Sequence, residues 1–372
     1  MHNLLSLPAF DGSRLAWPPF QQPDERISVG EIANIRQAGF DFVRLTVSPE
    51  MFLASSGRRV TDLLGIVRAR VEQFRTGGLS VLVDLHPTYN VSAFAPDRII
   101  NRPDVFGRYV ETVGRLAGTL GQLGEGVALE LMNEPDISGA GARNRWRAMT
   151  VTMADAARAE ASALPLMACG HDGAPYETLL EFDPLPASYG PVLYTYHYYL
   201  PGIFTHQTEI EAAEYISGLE WPPQPNQREA NIATIRANLA RDRALSAQRR
   251  AQLLEESTET LDYYYQNNHT RQTIAREFRQ VADWADRHGV PREAVILGEF
   301  GVVRTHWRYV GAKEASRLAW LEAVRSEAEA MGFGWAVWTY RGWGGMAITD
   351  REDVLRFDGP TLRALGLNAQ ES

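Results

Sequence analysis

Residues 127–135 have the sequence VALELMNEP, an apolar run typical of a strand that ends in Asn133, Glu134 and Pro135. A second run of the same kind, AVILGEFG at 294–301, contains Glu299 near its end. In both segments a glutamate lies where the chain turns out of the predicted strand. The two glutamates are 299 − 134 = 165 residues apart, so only tertiary structure can bring their carboxylates together.

Apolar runs of this kind recur along the chain, with helical stretches between them. This alternation is typical of βα units repeated around a parallel sheet. Seven runs are clear, and they span 42–45, 81–85, 127–131, 166–169, 192–196, 294–297 and 334–338, with a ragged eighth at 4–10. Eight such strands close a (β/α)8 TIM barrel. We therefore predict an α/β protein with a single catalytic barrel domain over residues 1–372.

Helical periodicity indicates the connecting segments. Apolar residues recur at helical spacing over 105–120 and 274–285, and a third helix is predicted over 312–331. The chain at about 201–270, after the sixth strand, is longer than one connecting helix requires. We predict an insertion there, with an irregular lid followed by a polar, Arg-rich helical segment over about 228–265. A lid that shapes substrate access and a solvated decoration are both compatible with this composition.

Composition limits the classes of function. Of the 372 residues, 45% are hydrophobic and 22% are charged, which is ordinary for a globular protein. The formal net charge is −9, and no basic run is interleaved with aromatic residues. Nucleic acid and anionic membranes are therefore disfavoured as partners. A neutral or weakly charged substrate fits better, and we expect a monomer that needs no cofactor.

The single cysteine, Cys169, excludes a disulfide within the chain and a zinc cluster of thiolates. It lies in the apolar run 164–169, so we predict a buried core residue rather than a nucleophile. The first residues lack the basic and long apolar regions of a signal peptide. We expect a cytoplasmic protein if the sequence is complete, and a secreted or periplasmic one if a signal peptide was removed.

Polar residues follow most of the predicted strands. In a parallel barrel the carboxyl ends of the strands form one face, so side chains at those ends converge on a single cleft. The candidates, in chain order, are Arg44, Asp84, His86, Asn133, Glu134, His197, Tyr199, Glu299 and Trp338.

This set, in this order, resembles glycoside hydrolase family 5, the cellulase-like family of retaining barrel glycosidases. The resemblance runs from about residue 29 to residue 350. In that family an arginine follows strand two, a histidine strand three, Asn-Glu-Pro strand four, His-x-Tyr strand six, a glutamate strand seven and a tryptophan strand eight. The matching positions here are Arg44, His86, 133–135, 197–199, Glu299 and Trp338.

The resemblance implies a role for each carboxylate. A retaining glycosidase needs two carboxyl groups about 5 to 5.5 Å apart, one as the nucleophile and one as the acid/base. By resemblance Glu299 is the nucleophile, and Arg44 and the Tyr199 hydroxyl would stabilise its ionised form. Glu134 is the acid/base, and the charge of Glu299 would favour its protonated form. Asn133 would donate to the sugar 2-hydroxyl.

Several of these residues have structural alternatives. Arg44 could pair with Asp41 or Asp84 as scaffolding, and a histidine such as His86 or His197 is often a satisfied core residue. Trp338 is either the flat floor under a pyranose ring or ordinary core. Further stacking candidates on loops are Trp307, Trp343, Trp17, Tyr89 and Trp146.

The sequence favours an endo-β-1,4-glucanase that acts on a β-linked polysaccharide or oligosaccharide. A β-1,3-glucanase, a β-mannanase and an exo-acting β-glucosidase remain open, because the Trp338-Thr339-Tyr340 ending and the long insertion depart from the family pattern. A metal-dependent barrel hydrolase would use His86, His171, His197 and His306, but no ligand-spaced histidine motif is present. A non-catalytic carbohydrate-binding protein would not need both glutamates.

Overall fold

The computed structural model describes residues 1–20, 27–209, 213–306, 309–342, 345–350 and 355–368. The chain forms two compact units. The first comprises Met1–His197 and Val281–Gly298, and the second comprises Tyr198–Gln280 and Glu299–Ser372. The chain thus passes from one unit to the other within two predicted site segments, 197–199 and 298–299. The single domain over residues 1–372 stays a prediction.

The first unit is built on a parallel sheet. Its strands, with one short hairpin, are β1 (His2–Leu5), β2 (Phe10–Asp11), β3 (Arg14–Leu15), β4 (Phe42–Val47), β5 (Ser80–Leu85), β6 (Val127–Glu130), β7 (Leu166–Cys169), β8 (Val192–His197) and β9 (Val295–Glu299). Strands β1 and β4 to β9 are neighbours in that order, and the pairs from β1 to β8 are parallel. Strands β2 and β3 pair only with each other, antiparallel.

The strands predicted for this unit agree with the sheet, except for the first one, at 4–10. The run predicted at 4–10 is wrong in extent, because β1 ends at Leu5 and Phe10–Asp11 belongs to the separate hairpin. The run at 166–169 matches β7 in both bounds. The other runs in this unit differ from the observed strands by one or two residues at an end, as is usual for strand ends.

The register of the sheet aligns the carboxyl ends of neighbouring strands. Thr46 pairs with Asp84, and Asp84 pairs with Glu130. Asn133 N continues the pairing by donating to Leu85 O at 2.8 Å. Polar residues that follow these strands therefore lie at one edge of the sheet. This alignment is what makes a shared site possible.

Gly298 permits the close approach of β9 to β8. A Cβ atom at this position would lie 2.4 Å from Thr195 Oγ1 and 3.1 Å from His197 Nε2. Any larger residue would push against the strand that ends in His197. The glycine before Glu299 is therefore required by packing.

Helices cover the sheet of the first unit. They are α1 (Val29–Gln37), α2 (Glu50–Leu53), α3 (Arg58–Thr76), α4 (Pro96–Asn101), α5 (Pro103–Gly121), α6 (Ala142–Glu160) and α7 (Tyr176–Leu180). A capping box at Ser28 and Glu31 starts α1. Helix α5 confirms the helix predicted over 105–120, and its buried face includes Val105, Tyr109 and Leu116.

The second unit contains the predicted insertion and the last helices. Its elements are α8 (Gly202–Thr205), α9 (Arg228–Arg241), α10 (Ala247–Asn267), residues 271–280 of α11 (Arg271–His288), β10 (Thr305–His306), β11 (Tyr309–Val310), α12 (Glu314–Ala330), β12 (Gly334–Trp335) and α13 (Gly359–Ala364). Helices α11 and α12 confirm the helices predicted over 274–285 and 312–331. Strand β12 is shorter than the run predicted at 334–338.

The helical part of the insertion is a two-helix hairpin. Arg228, which begins α9, makes two hydrogen bonds with Asp262 near the end of α10, at 2.5 and 2.9 Å. At the other end, Arg250 Nε donates to Leu239 O at 3.0 Å. The two helices therefore run antiparallel. The helical segment predicted over 228–265 is confirmed, with a break between Arg241 and Ala247.

Among the described residues, the seven parallel strands of the first unit and β12 of the second make eight, the number that the sequence predicts. No helix within the described ranges is both long and apolar enough to cross a bilayer.

Candidate active site

Arg44 lies at the centre of a buried polar network in the first unit. Its Nε donates to Glu130 Oε2 at 2.6 Å, and its Nη2 donates to Glu130 Oε1 at 2.8 Å. Nη2 also donates to Asn133 Oδ1 at 2.8 Å and lies 3.2 Å from Asp84 Oδ2. The side chains of Arg44 and Asp84 are fully buried. A buried guanidinium with these partners fixes the orientation of the Asn133 amide.

The network decides between the two partners that the sequence left open for Arg44. Arg44 pairs with Asp84, whereas Asp41 lies on the surface and pairs with Arg36 at 3.4 Å. The main partner, Glu130, was missed by sequence reasoning. The only sign of it in the sequence is that Glu130 is a single charged residue inside an apolar strand. Burial raises the pKa of Glu130, and the Arg44 charge offsets this only in part.

A chain of hydrogen bonds orients His86 and Asn133. Asp84 Oδ2 lies 2.8 Å from His86 Nδ1, and a carboxylate can only accept, so we assign the proton to Nδ1. The other ring nitrogen, Nε2, then accepts from Asn133 Nδ2 at 3.4 Å. Asn133 keeps a second amide hydrogen for a further acceptor, which is the requirement for a donor to a sugar hydroxyl.

Glu134 has an unusual backbone conformation. Its φ is 38°, in the left-handed region that a residue with a side chain rarely adopts. Such a conformation costs on the order of 1–3 kcal/mol and is common at functional sites. The side chain of Glu134 remains 42% exposed, while the neighbouring Asn133 is buried. The turn after β6 therefore separates a buried amide from an accessible carboxylate.

His197 holds the Glu134 carboxylate. His197 Nδ1 lies 2.7 Å from Glu134 Oε1, and the imidazole is 3% exposed. Burial raises the pKa of Glu134, but the hydrogen bond and charge of His197, with the charge of Arg44, bring its pKa below the ordinary value. We expected Glu134 to be protonated before the reaction. The lowered pKa instead favours the ionised carboxylate in the free protein, and we assign the proton to the hydrogen bond between His197 Nδ1 and Glu134 Oε1.

In the second unit, Tyr199 holds Glu299. The Tyr199 hydroxyl donates to Glu299 Oε2 at 2.9 Å, and Tyr198 N donates to Glu299 O at 2.9 Å. Glu299 is 4% exposed. The Tyr199 ring packs edge-on against His206, with centroids 4.8 Å apart, and Tyr199 O accepts from Thr205 Oγ1 at 2.6 Å. The tyrosine is thus fixed at its ring, hydroxyl and backbone.

A second buried network, also missed by sequence reasoning, includes Tyr198, the residue before Tyr199. The Tyr198 hydroxyl donates to Glu277 Oε2 at 2.5 Å and lies 2.9 Å from His269 Nε2. Trp221 Nε1 donates to His269 Nδ1 at 3.4 Å. Because that bond requires an unprotonated Nδ1, the His269 proton lies on Nε2 and is donated to Tyr198. The network joins the insertion to the segment that carries Tyr199.

The predicted aromatic contacts have different outcomes. Trp338 is half-buried beyond the end of β12, and its N donates to Phe300 O at 2.9 Å. Trp307 and Trp343 lie outside the described residues. Trp146 is wrong as a stacking candidate, because it is 1% exposed and its indole donates to Cys169 O. Cys169 is buried as predicted, and burial raises the pKa of its thiol.

The histidines that a metal site would use in the first unit each contact a carboxylate of their own. His86 contacts Asp84, His197 contacts Glu134, and His171 Nε2 lies 3.7 Å from Glu181 Oε2. The side chain of His306 lies outside the described residues. Histidine–carboxylate pairs of this kind hold protons and orient rings.

The model of the cellulase family, glycosyl hydrolase family 5, matches residues 30–342. The chain belongs to this family. It is therefore a glycoside hydrolase, and the resemblance seen in the sequence is confirmed. Endoglucanase C of Acetivibrio thermocellus is 23% identical over 325 residues, which cover 86% of this chain and 85% of that protein.

Solved structures share the fold of this family 5 chain. The Clostridial cellulose synthase subunit Z from Clostridioides difficile has a TM-score of 0.66 and 21% identity, covering 95% of this chain and 96% of that one. Cel5A from Thermotoga maritima in complex with cellobiose has a TM-score of 0.66 and 19% identity, with 95% of each chain covered. Similarity at this level establishes the fold, and the (β/α)8 TIM barrel is confirmed.

Within this glycoside hydrolase, each unit assembles its own part of the predicted site. The first unit brings together Arg44, His86, Asn133, Glu134 and His197, and the second brings together Tyr199 and Glu299.

Proposed function

We propose that the protein is a retaining endo-β-1,4-glucanase with Glu299 as nucleophile and Glu134 as acid/base. The observation that carries the proposal is that each glutamate is held by one specific partner of different chemistry. A phenol donates to Glu299, which suits a carboxylate that is held in place to attack as a nucleophile. An imidazole contacts Glu134, which suits a carboxyl group that gains and loses a proton.

In the first half-reaction Glu299 attacks the anomeric carbon and the glycosidic bond breaks. The leaving oxygen takes the proton held by the Glu134–His197 pair. Glu134 is 42% exposed in the free protein, and a bound sugar would cover it and remove water from the carboxylate. Loss of water favours the protonated form, so substrate binding moves the shared proton toward Glu134. Asn133 donates to the sugar 2-hydroxyl as charge develops on the ring.

In the second half-reaction water releases the sugar from Glu299. Glu134, now ionised, removes a proton from the attacking water, and His197 stabilises the proton that the pair regains. The new bond forms on the face that the leaving group occupied, so the configuration at the anomeric carbon is retained. Arg44 orients the Asn133 amide, and its charge favours the ionised form of Glu134 that this step needs.

The relatives support a β-1,4-linked hexose polymer as substrate. The curated relatives are named endoglucanases. Cel5A of Thermotoga maritima has been solved with cellobiose and also with mannotriose. Both glucan and mannan therefore belong in the substrate panel, with β-1,3-glucan and an aryl β-glucoside to test linkage and exo action.

The test is a reducing-sugar assay on soluble β-1,4-glucan with Glu299→Ala and Glu134→Ala. Each variant has a matched control at the opposite end of the same strand: Glu293→Ala precedes β9, and Glu125→Ala precedes β6. We expect the two site variants to lose on the order of 10²–10⁴-fold in kcat, and the controls to keep wild-type activity. Equal activity of Glu299→Ala and Glu293→Ala would refute the proposal.

Azide distinguishes the two roles. A small anion replaces the missing nucleophile in Glu299→Ala and gives an α-glycosyl azide. In Glu134→Ala it attacks the covalent intermediate and gives a β-glycosyl azide. Products of the opposite configuration would exchange the two assignments while leaving the retaining mechanism in place.

A further inference from the structure

Tyr89 is an exposed aromatic residue in the loop after β5. Its side chain is 66% exposed, although its ring is large and apolar. It lies five residues beyond Asp84, in a loop that leaves the same edge of the sheet as the turn carrying Glu134. An exposed aromatic ring beside a catalytic carboxylate has the position of a sugar-stacking surface.

The Tyr89 ring is held at its outer end. The Tyr89 hydroxyl donates to Asp136 Oδ2 at 2.6 Å, and Asp136 is two residues beyond Glu134. Burial, together with the hydrogen bond and charge of Asp136, raises the pKa of the phenol. The hydroxyl therefore stays protonated and continues to donate. This bond joins the loops that follow two adjacent strands.

The backbone beside Tyr89 is held by a buried carboxylate. Thr88 N and Thr88 Oγ1 both donate to Glu50 Oε1, at 2.5 and 3.0 Å, and Ser48 Oγ donates to Glu50 Oε2 at 2.5 Å. Glu50 is 1% exposed. Burying a carboxylate costs free energy, and the three hydrogen bonds to Glu50 offset that cost while they fix the surface loop. With both the neighbouring backbone and the hydroxyl fixed, the ring has little conformational entropy left to lose on binding.

The charge around Tyr89 limits what can bind there. The carboxylates of Asp136, Asp97 and Glu134 all act on the phenol. A uronic acid or another anionic sugar would be repelled by these groups. A neutral sugar presents its axial hydrogens to an aromatic face without that penalty.

We propose that Tyr89 is a preorganised stacking platform for a neutral pyranose ring of the β-glycan chain. This inference rests on the proposed function, because it identifies a binding position for the same substrate. Asp136 is a positioning residue that fixes the ring through the hydroxyl, and Glu50 fixes the loop through Thr88. We place the bound ring beyond the sugar at the cleavage point, because the Tyr89 hydroxyl is held by Asp136 rather than by Glu134. Short substrates should therefore not reach Tyr89.

The experiment is a calorimetric titration in the Glu299→Ala background, where oligosaccharides are not consumed. The ligands are β-1,4-linked glucose oligomers of increasing length, starting from the disaccharide. Tyr89→Ala removes the ring, Tyr89→Phe keeps the ring and removes its anchor, and Tyr263→Ala is the matched control. Tyr263 lies on α10 and is 67% exposed, against 66% for Tyr89.

We expect Tyr89→Ala to weaken the binding of the long oligomers by about 3- to 10-fold and to leave the disaccharide unchanged. Tyr89→Phe should show a smaller loss, and Tyr263→Ala none. The platform is overturned if Tyr89→Ala and Tyr263→Ala bind all lengths alike, if the loss is the same at every length, or if no oligomer binds. The proposed function is judged separately, by turnover of wild type against Glu299→Ala.

Discussion

Arg44 and Glu130 form a buried ion pair with two parallel hydrogen bonds of 2.6 and 2.8 Å. Neither side chain is more than 1% exposed. The attraction within such a pair is largely offset by the cost of removing both charges from water. The pair therefore contributes more than stability, because it orients the Asn133 amide.

Replacing Arg44 with Met should strongly destabilise the protein. The variant leaves Glu130 and Asp84 buried without their cation, and breaking a buried pair in this way costs about 3–5 kcal/mol in the free energy of unfolding. Denaturant unfolding measures the loss. Arg36→Met removes the exposed partner of Asp41 and should cost less than about 1 kcal/mol. Equal losses in the two variants would contradict a structural role for the buried pair.

Replacing His197 with Ala should move the alkaline limb of the kcat/KM–pH profile to higher pH. The hydrogen bond and charge of His197 lower the pKa of Glu134, so their removal raises that pKa, and the acid keeps its proton to higher pH. His171→Ala, which removes the partner of Glu181, is the control and should leave the limb in place. A limb that moves to lower pH would contradict the pairing.

Replacing Tyr199 with Phe should lower kcat/KM by about 10- to 100-fold. The variant removes a donor to a charged carboxylate, and such bonds contribute about 1.5–3 kcal/mol. Steady-state kinetics on soluble β-1,4-glucan measures the effect, which should appear mainly in kcat. Tyr189→Phe removes a phenol that donates to Asp155 at 2.6 Å elsewhere in the chain. If it reduces activity as much as Tyr199→Phe does, the hydroxyl has no specific role in the reaction.

Replacing Glu50 with Gln should change how the free energy of unfolding depends on pH. As pH rises, wild type should lose stability relative to the variant. Burial raises the folded-state pKa of Glu50 above its ordinary value. The stability that Glu50 contributes is thus full below its unfolded-state pKa and is lost as pH rises through the folded-state pKa. Unfolding measured from about pH 4 to about pH 8 should show wild type losing stability against the variant. The exposed Glu125→Gln should show no such trend, and a wild type that gains on Glu50→Gln with pH would reverse the assignment.

Exhaustive treatment with EDTA should leave activity on β-1,4-glucan unchanged. The proposed reaction uses two carboxyl groups and a proton held by Glu134 and His197, and it needs no Lewis acid. The assay compares chelated, untreated and metal-supplemented protein. Loss of activity that a divalent metal restores would favour the metal-dependent hydrolase instead.

Most of the framework of the fold can be read from the sequence. Strand β7 is predicted in both bounds, and helix α5 nearly so, because a buried strand is continuously apolar and an amphipathic helix is apolar at every third or fourth residue. The first strand is less predictable. Residues 4–10 stay largely apolar after β1 has ended, and only pairing decides that Phe10 belongs to a hairpin.

The buried supports of the site cannot be predicted in the same way. Glu130 is one charged residue in an apolar run, and the sequence does not show that it meets Arg44, which is 86 residues away. The Trp221–His269–Tyr198 network is equally hidden, because its members come from three separate segments.

By itself the sequence determined the alternating framework, the family and the two glutamates at strand ends, since these depend on local patterns of apolar and polar residues. The tertiary structure decided which partner each side chain has. In it Arg44 bonds to Glu130, His197 to Glu134, and Tyr89 to Asp136. The physical reason is that the position of a proton depends on burial and on hydrogen bonds of about 3 Å. Only the register of the sheet brings the atoms that close to one another.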